Sequence, residues 1–438
     1  MLLKKKLFKN GLLVFGKPID AVDIKNILAV LTGDFLGQGI NFAVSVYIAI
    51  HYSDLVFGIV NTGTAVANYI GVIVAFGIPA ILSRNIVQQP NHASIFVSTA
   101  IMVRVVIATI TLAALSFVLS TAESSCLEKS VTFILSINAC LSIFNLDQSF
   151  DALRRSSYHS IVRFFSFNLM YLCLVVAIIL LLPEAPVTFI LVSLVAANLL
   201  FSISNIVLFH YRVLKIRFIL DLKIAKSLLL DSLPILTTTG LGVVYLNFAV
   251  TYLRKTEGLE AVADYGAASR IVLILIMLDV VVMRILVPKV AALALAPVSQ
   301  HWSLLLHLLL IRASYAIPLV TFILFGYSWI LELIYQGKYQ QSGTLLQLLS
   351  LWFMGTMFTH FGTYLYTNGY TRQYVAWIAA KVAIFLMLTV WLTMKYAVEG
   401  AVYALIIAEY LAACWVLVIL RYNIRQKSLA ENTTLGEG

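Results

Sequence analysis

Residues 101–120 read IMVRVVIATITLAALSFVLS, an unbroken apolar and hydroxyl-bearing run with one charge, Arg104. An α-helix rises about 1.5 Å per residue, so roughly twenty such residues cross the hydrocarbon core of a bilayer. Apolar runs of similar length recur along the chain from Ile27 to Leu420. Within lipid a segment must satisfy its own backbone hydrogen bonds, which a helix does. The sequence therefore predicts an all-α, polytopic membrane protein.

The composition agrees with that class. Of the 438 residues, 61% are hydrophobic and 11% are charged, and the mean hydropathy is +0.96, far from the averages of soluble domains. The formal net charge is +10, but Lys and Arg fall mainly in alternate loops, which is the pattern of membrane topology. We therefore expect membrane lipids around the chain and no nucleic-acid partner.

The sequence predicts about twelve transmembrane helices. Numbered in chain order, the predicted spans are 27–50, 57–80, 95–119, 131–149, 161–182, 188–210, 231–252, 268–288, 302–324, 344–367, 374–394 and 400–420.

The spans fall into two sets of six on either side of a polar connection at 211–230. The motif NFAV at 41–44 in span 1 recurs at 247–250 in span 7, which favours two related halves. We predict two six-helix bundles, at 27–210 and 231–420. Four basic residues lie on one third of a helical wheel in the 211–230 connection, so we predict a cytoplasmic linker that forms an interfacial amphipathic helix.

The distribution of basic residues predicts the orientation. Counted outside the spans, nineteen Lys and Arg residues lie on the side of the N-terminus and five lie on the other side. Cationic loops are retained in the cytoplasm. Both the N-terminal segment 1–26 and the C-terminal tail 421–438 are therefore predicted to be cytoplasmic, in a multi-pass protein of the cell inner membrane.

Six Lys and Arg residues fall inside the predicted spans: Arg163 and Arg270 lie near span ends, and Arg104, Arg284, Arg312 and Lys381 lie farther inside. Each of the latter four costs roughly 2.5–3.5 kcal/mol at mid-bilayer unless it has a partner or a wet cavity. One interpretation pairs each cation with a deep acid, but the spans hold three such acids against four cations. The more specific hypothesis is a cationic interior that binds an anionic substrate through Arg104, Arg284, Arg312 and Lys381.

The three deep acids are Asp34, Asp279 and Glu409. A desolvated carboxylate has a raised pKa and exchanges a proton readily when its surroundings change. We predict that Asp34 and Glu409 include an ion-coupling residue. Pairing with a cation is the alternative for both.

No motif for covalent chemistry stands out. The sequence has no Walker A loop, no His or Cys cluster with the spacing of metal ligands, and no Gly-x-Ser-x-Gly nucleophile motif. We predict that the protein is not an enzyme, with no catalytic residues, no bound metal and no cofactor.

Several short motifs carry a family resemblance. FGIP at 76–79 is followed by SRN at 83–85, and FDALR at 150–154 closes span 4; SLP at 232–234 enters span 7, DYGAASR at 264–270 enters span 8, and YQGKY at 335–339 precedes span 10. In this order and spacing the chain resembles the polysaccharide and O-antigen flippases of the MOP superfamily, which also contains the MATE antiporters. Span 4 departs from the family pattern, with FNLDQ at 144–148.

The resemblance implies a MATE-like fold and a function in lipopolysaccharide or other polysaccharide biosynthesis. Such a flippase moves an undecaprenyl-pyrophosphate-linked oligosaccharide from the cytoplasmic to the periplasmic face by alternating access. It also implies a glycan polymerase and a chain-length regulator as partners. The alternative is a MATE-type drug or metabolite antiporter, which expels cations and favours an acidic cavity.

Overall fold

The computed structural model describes the backbone of residues 13–14, 17–18, 21–216, 220–292 and 298–436. The side chains described begin at residue 33 and leave out 34, 281, 284–285, 288–289, 291–292, 299, 428 and 430–436. The side chains of Asp34 and Arg284 therefore lie outside the described residues. In the described part, helices account for nearly all regular structure, beside an antiparallel pair of two-residue strands, Leu13–Val14 and Lys17–Pro18.

Helices in the first half coincide with predicted spans 1 to 6. Their bounds are Ala21–His51, Asp54–Ala75, Ile78–Gln88, Ala93–Thr121, Cys126–Cys140, Asp147–Ala152, Ser156–Val162, Met170–Leu181 and Val187–Arg212. A 3₁₀ turn, Leu141–Phe144, follows the helix of span 4, and a π-helical segment, Arg163–Leu169, joins the two helices of span 5. Spans 4 and 5 therefore both depart from regular α-helix inside the membrane.

Helices in the second half coincide with predicted spans 7 to 12. Their bounds are Leu222–Thr256, Leu259–Ala292, His301–Tyr335, Gly343–Gly355, Thr359–Thr367 and Thr371–Gly436. Span 10 is interrupted by the 3₁₀ turn Thr356–Phe358.

The stretch Thr371–Gly436 contains two spans and a reversal between them. Tyr396 and Ala397 have non-helical backbone angles, and the φ of Ala397 is positive. The Nζ atom of Lys381 lies 2.7 Å from Oε2 of Glu409, although a straight helix would separate these residues by about 42 Å. The chain therefore turns back near residue 396, and spans 11 and 12 pack side by side.

The observed helices confirm the predicted fold class, an all-α polytopic membrane protein. Nine helical stretches among the described residues are long and apolar enough to cross a membrane, and one of them contains spans 11 and 12. Many large apolar side chains are exposed, such as Phe117 at 72% and Phe325 at 86%. Exposed apolar surface on this scale suits contact with lipid rather than water.

The chain divides into two compact units, Met1–Ser45 with Val66–Thr239 and Val46–Ala65 with Gly240–Gly438. Each has its own apolar core. In the first unit, residues such as Val74, Val97 and Phe150 are fully buried, and in the second the core includes Leu305, Phe361 and Val416. The division passes through spans 1, 2 and 7, so the two bundles predicted at 27–210 and 231–420 stay a prediction.

The structure corrects the prediction of a separate interfacial helix at 211–230. The helix of span 6 ends at Arg212 and the helix of span 7 already begins at Leu222. The Asp221 side chain accepts hydrogen bonds from the backbone N–H groups of Lys223 and Ile224, which satisfies donors at the start of a helix. The basic residues Lys223 and Lys226 therefore belong to the first turns of span 7.

Motifs far apart in the sequence contact each other within the first unit. Phe76 and Gly77 both have positive φ, so the helix of span 2 breaks and restarts at Ile78. A Cβ atom on Gly77 would lie 2.9 Å from the carbonyl oxygen of Ser232. Glycine is needed at this corner for its backbone angles and for its lack of a side chain. The motif at 76–79 thus packs against the motif at 232–234.

A second pair of motifs meets within the second unit. The hydroxyl of Tyr335 donates to the carbonyl of Ala267 at 3.0 Å, and Ser342 donates to Asp264 at 2.9 Å. These contacts join the entrance of span 8 to the last residue of the helix His301–Tyr335 and to the loop that follows it. In the same loop, Lys338 donates to the carbonyl of Ala49 at 2.7 Å. Ala49 lies in the last turn of the helix Ala21–His51, where a positive charge is stabilising.

Candidate functional site

Arg104 lies in the core of the first unit, with 4% of its surface exposed. Its Nη1 atom donates to the carbonyl of Ile143 at 2.9 Å, and Nη2 donates to the carbonyl of Ser142 at 2.7 Å. Both carbonyls belong to the 3₁₀ turn inside span 4 that follows the helix Cys126–Cys140. The Ser142 carbonyl also accepts from the backbone N–H of Asn145 at 3.0 Å. The last carbonyls of a helix lack a full set of partners within it, so the guanidinium adds donors where the helix breaks.

Arg312 lies in the second unit with no exposed surface, and it forms an ion pair with Asp279 of span 8. Its Nη2 atom lies 2.7 Å and 2.6 Å from the two carboxylate oxygens, and Nε lies 3.0 Å from the first. The Tyr315 hydroxyl donates to the same carboxylate. This fork geometry suits a guanidinium and a carboxylate.

The remaining guanidinium nitrogen of Arg312, Nη1, donates hydrogen bonds to acceptors at the break in span 10. Nη1 donates to the carbonyl of Met357 and to Oγ1 of Thr359, both at 2.8 Å. The His360 ring also contacts the Met357 carbonyl, through Nδ1 at 2.8 Å. In the first unit, therefore, an arginine of span 3 donates hydrogen bonds to a 3₁₀ turn in span 4. In the second unit, an arginine of span 9 donates to a 3₁₀ turn in span 10.

Lys381 and Glu409 form a second buried ion pair among the described residues, where spans 7, 10, 11 and 12 meet. Glu409 Oε2 lies 2.7 Å from Nζ of Lys381 and accepts a 2.7 Å hydrogen bond from the Tyr245 hydroxyl. The indole N–H of Trp352 lies 3.2 Å from the same oxygen and 3.1 Å from the Tyr245 hydroxyl. The Lys381 ammonium also stands 4.2 Å from the centre of the Tyr245 ring. We call these four residues the Glu409 cluster.

The structure brings together some of the predicted site residues and separates others. Lys381 and Glu409, predicted as a substrate-binding cation and a coupling acid, are direct partners. Arg104 and Arg312 lie in different units, each with hydrogen-bond partners of its own, and Arg284 and Asp34 lie outside the described side chains. Substrate-binding and ion-coupling roles for all six stay predictions.

Tyr245 and Trp352 were not predicted as site residues. Neither carries a charge, and aromatic residues are abundant in membrane spans and usually serve packing or interfacial anchoring. No signal in the sequence distinguishes these two from the other aromatic residues. Their role becomes visible only through the carboxylate that both contact.

Residues 24–294 match the family model for polysaccharide biosynthesis proteins, Polysacc_synt. The match spans more than half of the chain. The chain belongs to this family. No curated protein matches the chain significantly.

Solved structures of MATE transporters share the fold of this polysaccharide biosynthesis family member. An inward-facing multidrug resistance MATE transporter of the MOP superfamily has a TM-score of 0.72 at 14% identity, with 91% of this chain and 98% of that chain covered. An outward-facing structure of such a transporter gives a TM-score of 0.62 at 14% identity, with 92% and 96% covered.

A MOP superfamily transporter from Pyrococcus furiosus Vc1, described as having a binding pocket of reverse polarity that suggests a different function, gives a TM-score of 0.64. It is 14% identical, with 92% of this chain and 96% of that chain covered. At such identities the likeness shows the fold alone. The fold is that of the solved MATE transporters, and the family is that of polysaccharide biosynthesis proteins.

Proposed function

We propose that this protein is a flippase for an undecaprenyl-pyrophosphate-linked oligosaccharide, such as an O-antigen repeat unit or the unit of a similar surface polysaccharide. It moves the unit from the cytoplasmic to the periplasmic face by alternating access and performs no covalent chemistry on it. Membership of the polysaccharide biosynthesis family supports the substrate class. A glycan polymerase and a chain-length regulator are the proposed partners that receive the unit.

The Glu409 cluster is the observation that carries the proposal. A pyrophosphate and its sugars cross hydrocarbon only where the protein replaces their lost hydration, because desolvating an unpaired charge is prohibitive. Lys381, Tyr245 and Trp352 provide a cation and two neutral donors directed at one oxygen within the membrane-spanning region. Cation and neutral donors together are the groups that stabilise a phosphate oxygen.

A MATE-type antiporter is the second candidate, because the solved MATE transporters share the fold. Expulsion of cations favours an acidic cavity. In this chain Asp279 and Glu409 are each neutralised by a basic partner at 2.6 Å and 2.7 Å, which leaves neither carboxylate available to a cationic drug in this state. The two neutral pairs therefore do not provide the acidic cavity that this candidate favours.

Transport by the purified protein tests the substrate directly. We expect liposomes that contain the protein to equilibrate a fluorescent derivative of its host's own lipid-linked oligosaccharide between leaflets, so that an impermeant quencher reaches nearly all of the lipid. Protein-free liposomes should keep the inner half protected. The Lys381→Met/Glu409→Gln variant, which removes both charges of the cluster, is the matched control and should leave that half protected.

Transport of a different substrate would overturn the proposal. If wild-type protein leaves the lipid-linked oligosaccharide protected but accumulates a cationic dye against an ion gradient, the antiporter is the correct function. If the same protein moves ordinary phospholipids as fast as the oligosaccharide, the activity is not that of a selective flippase.

We also propose that both termini face the cytoplasm of a cell with an inner membrane, from the nineteen to five distribution of basic residues. Single cysteines at the exposed positions Glu123, Glu184 and Glu257 should react with an impermeant thiol reagent in intact cells. Cysteines at the exposed positions Arg155 and Arg372 should react only after the membrane is permeabilised. The four native cysteines are first replaced. The reverse labelling pattern would show that the orientation is inverted.

A further inference from the structure

The Glu409 carboxylate occupies a position that an external anion would suit. Its Oε2 atom is held by donors from three other spans: Tyr245 of span 7, Trp352 of span 10 and Lys381 of span 11. A carboxylate oxygen and a phosphate oxygen make the same kinds of hydrogen bond with such donors. The same three donors could therefore bind an oxygen of a ligand in place of the Glu409 oxygen.

We infer that Glu409 and the substrate's pyrophosphate exclude each other from the donors of Lys381, Tyr245 and Trp352, so that proton uptake by Glu409 releases these donors for the substrate. This inference rests on the proposed flippase function and concerns how the site is regulated. In the state seen here the carboxylate fills the site. In the state that binds substrate, neutral Glu409 has left the ammonium, and a pyrophosphate oxygen takes its place.

The arrangement around Lys381 favours such an exchange. Among the described contacts, its ammonium interacts with Glu409 and with the Tyr245 ring, 4.2 Å from the ring centre. The ring face continues to attract the cation after Glu409 is neutralised. The Lys381 side chain is 12% exposed, against 4% for Glu409. A buried cation without its counter-charge is costly, and an incoming anion removes that cost.

The second ion pair does not offer the same exchange. Arg312 keeps the Met357 carbonyl and Thr359 as partners when Asp279 is neutralised. Its guanidinium is fully buried, so it is shielded from a ligand on every side in this state. The contrast between the two pairs singles out the Glu409 cluster.

The charged and titratable groups around Glu409 determine whether affinity for an anion rises or falls with pH. Lys381 and Tyr245 face it from neighbouring spans, Trp352 of span 10 does not titrate, and Tyr410 follows it on its own helix. At low pH the neutral acid stops competing with a ligand for Lys381. Affinity for an anion should therefore rise as the pH falls.

Binding of a pyrophosphate diester to the purified full-length protein tests the inference. The probe is the methyl ester of farnesyl pyrophosphate, whose two charges stay constant between pH 5 and pH 8, so any change in affinity reports on the protein. We expect wild-type affinity to increase as the pH falls. Glu409→Gln, which mimics the protonated acid, should bind at least about tenfold more tightly at pH 8, as expected for one gained charge-assisted hydrogen bond, and should lose the pH dependence.

Matched variants separate competition from a structural role. Glu399→Gln is the control, because Glu399 lies one residue before span 12 and accepts a hydrogen bond from the Tyr403 hydroxyl at 3.4 Å, with no basic partner among the described ion pairs. It should behave as wild type. Glu409→Gln/Lys381→Met keeps the charge balance and should lose the gain in affinity. The wild-type pH series needs no substitution, so it holds even if Glu409→Gln folds poorly.

Two results would overturn the inference. One is wild-type affinity for the diester that does not change with pH. The other is an equal gain in affinity in Glu399→Gln and Glu409→Gln. Either result, together with oligosaccharide transport by the wild-type protein, would refute competition at Glu409 and leave the flippase function intact. Absence of that transport would refute the function separately.

Discussion

Replacing Asp279 by alanine should lower the free energy of unfolding by roughly 3–5 kcal/mol, the usual cost of leaving one charge of a buried pair without its partner. Arg312 is fully buried, and Asp279 accepts three of its hydrogen-bond contacts. Such a loss is a large part of the stability of a typical domain. We expect a strong fall in protein abundance in the membrane and in the thermal unfolding temperature in detergent.

The double substitution Asp279→Leu/Arg312→Met distinguishes a structural pair from a substrate site. It removes both charges, and replacing a buried pair by apolar residues is often neutral or stabilising. His360 remains a partner for the Met357 carbonyl at 2.8 Å. We expect most of the abundance to return and export to persist. If abundance returns while export stays absent, Arg312 acts on the substrate, as the sequence hypothesis proposed.

Replacing Arg104 by alanine should cost about 2–5 kcal/mol, because it removes the side-chain donor of the Ile143 carbonyl and leaves the Ser142 carbonyl with the backbone N–H of Asn145. Both carbonyls lie in a part of the membrane that offers little water as a substitute. Lysine keeps the charge but lacks the planar fork that reaches two acceptors. Arg104→Lys should therefore recover only part of the stability. Thermal unfolding in detergent and abundance in the membrane measure both variants.

Arg372→Ala is the matched control. Arg372 is exposed, and substitutions at exposed positions usually change stability by less than about 0.5 kcal/mol. Normal abundance of Arg104→Ala together with lost glycan export would contradict a capping role and support substrate contact. If Arg104→Lys restored export fully at normal abundance, the charge rather than the two-acceptor geometry would be what matters at this position.

Several features of the protein follow from local sequence. The run at 101–120 and its equivalents predicted the helices, because a backbone in lipid must bond to itself whatever surrounds it. The alternation of basic loops predicted an orientation, and the order of short motifs predicted the family, which the match over residues 24–294 confirms. Each of these inferences needs only residue type and position along the chain.

The partners of the buried charges could not be predicted in the same way. Comparing four cations with three acids implied a surplus positive charge that faces water or ligand, but the comparison considered only charged partners. Arg104 instead contacts two backbone carbonyls at the end of a 3₁₀ turn. Every residue has a carbonyl, so nothing in the sequence marks those of Ser142 and Ile143 as available.

The sequence by itself determined that this protein is helical, crosses the membrane many times and places a few costly charges inside it, since these depend on hydrophobicity summed over single segments. Only the tertiary structure decided that Lys381 meets Glu409, that Arg312 meets Asp279, and that Tyr245 and Trp352 join the first pair. Partners on different helices are chosen by how those helices rotate and pack against one another. That choice depends on contacts distributed over the whole chain, and no local pattern records it.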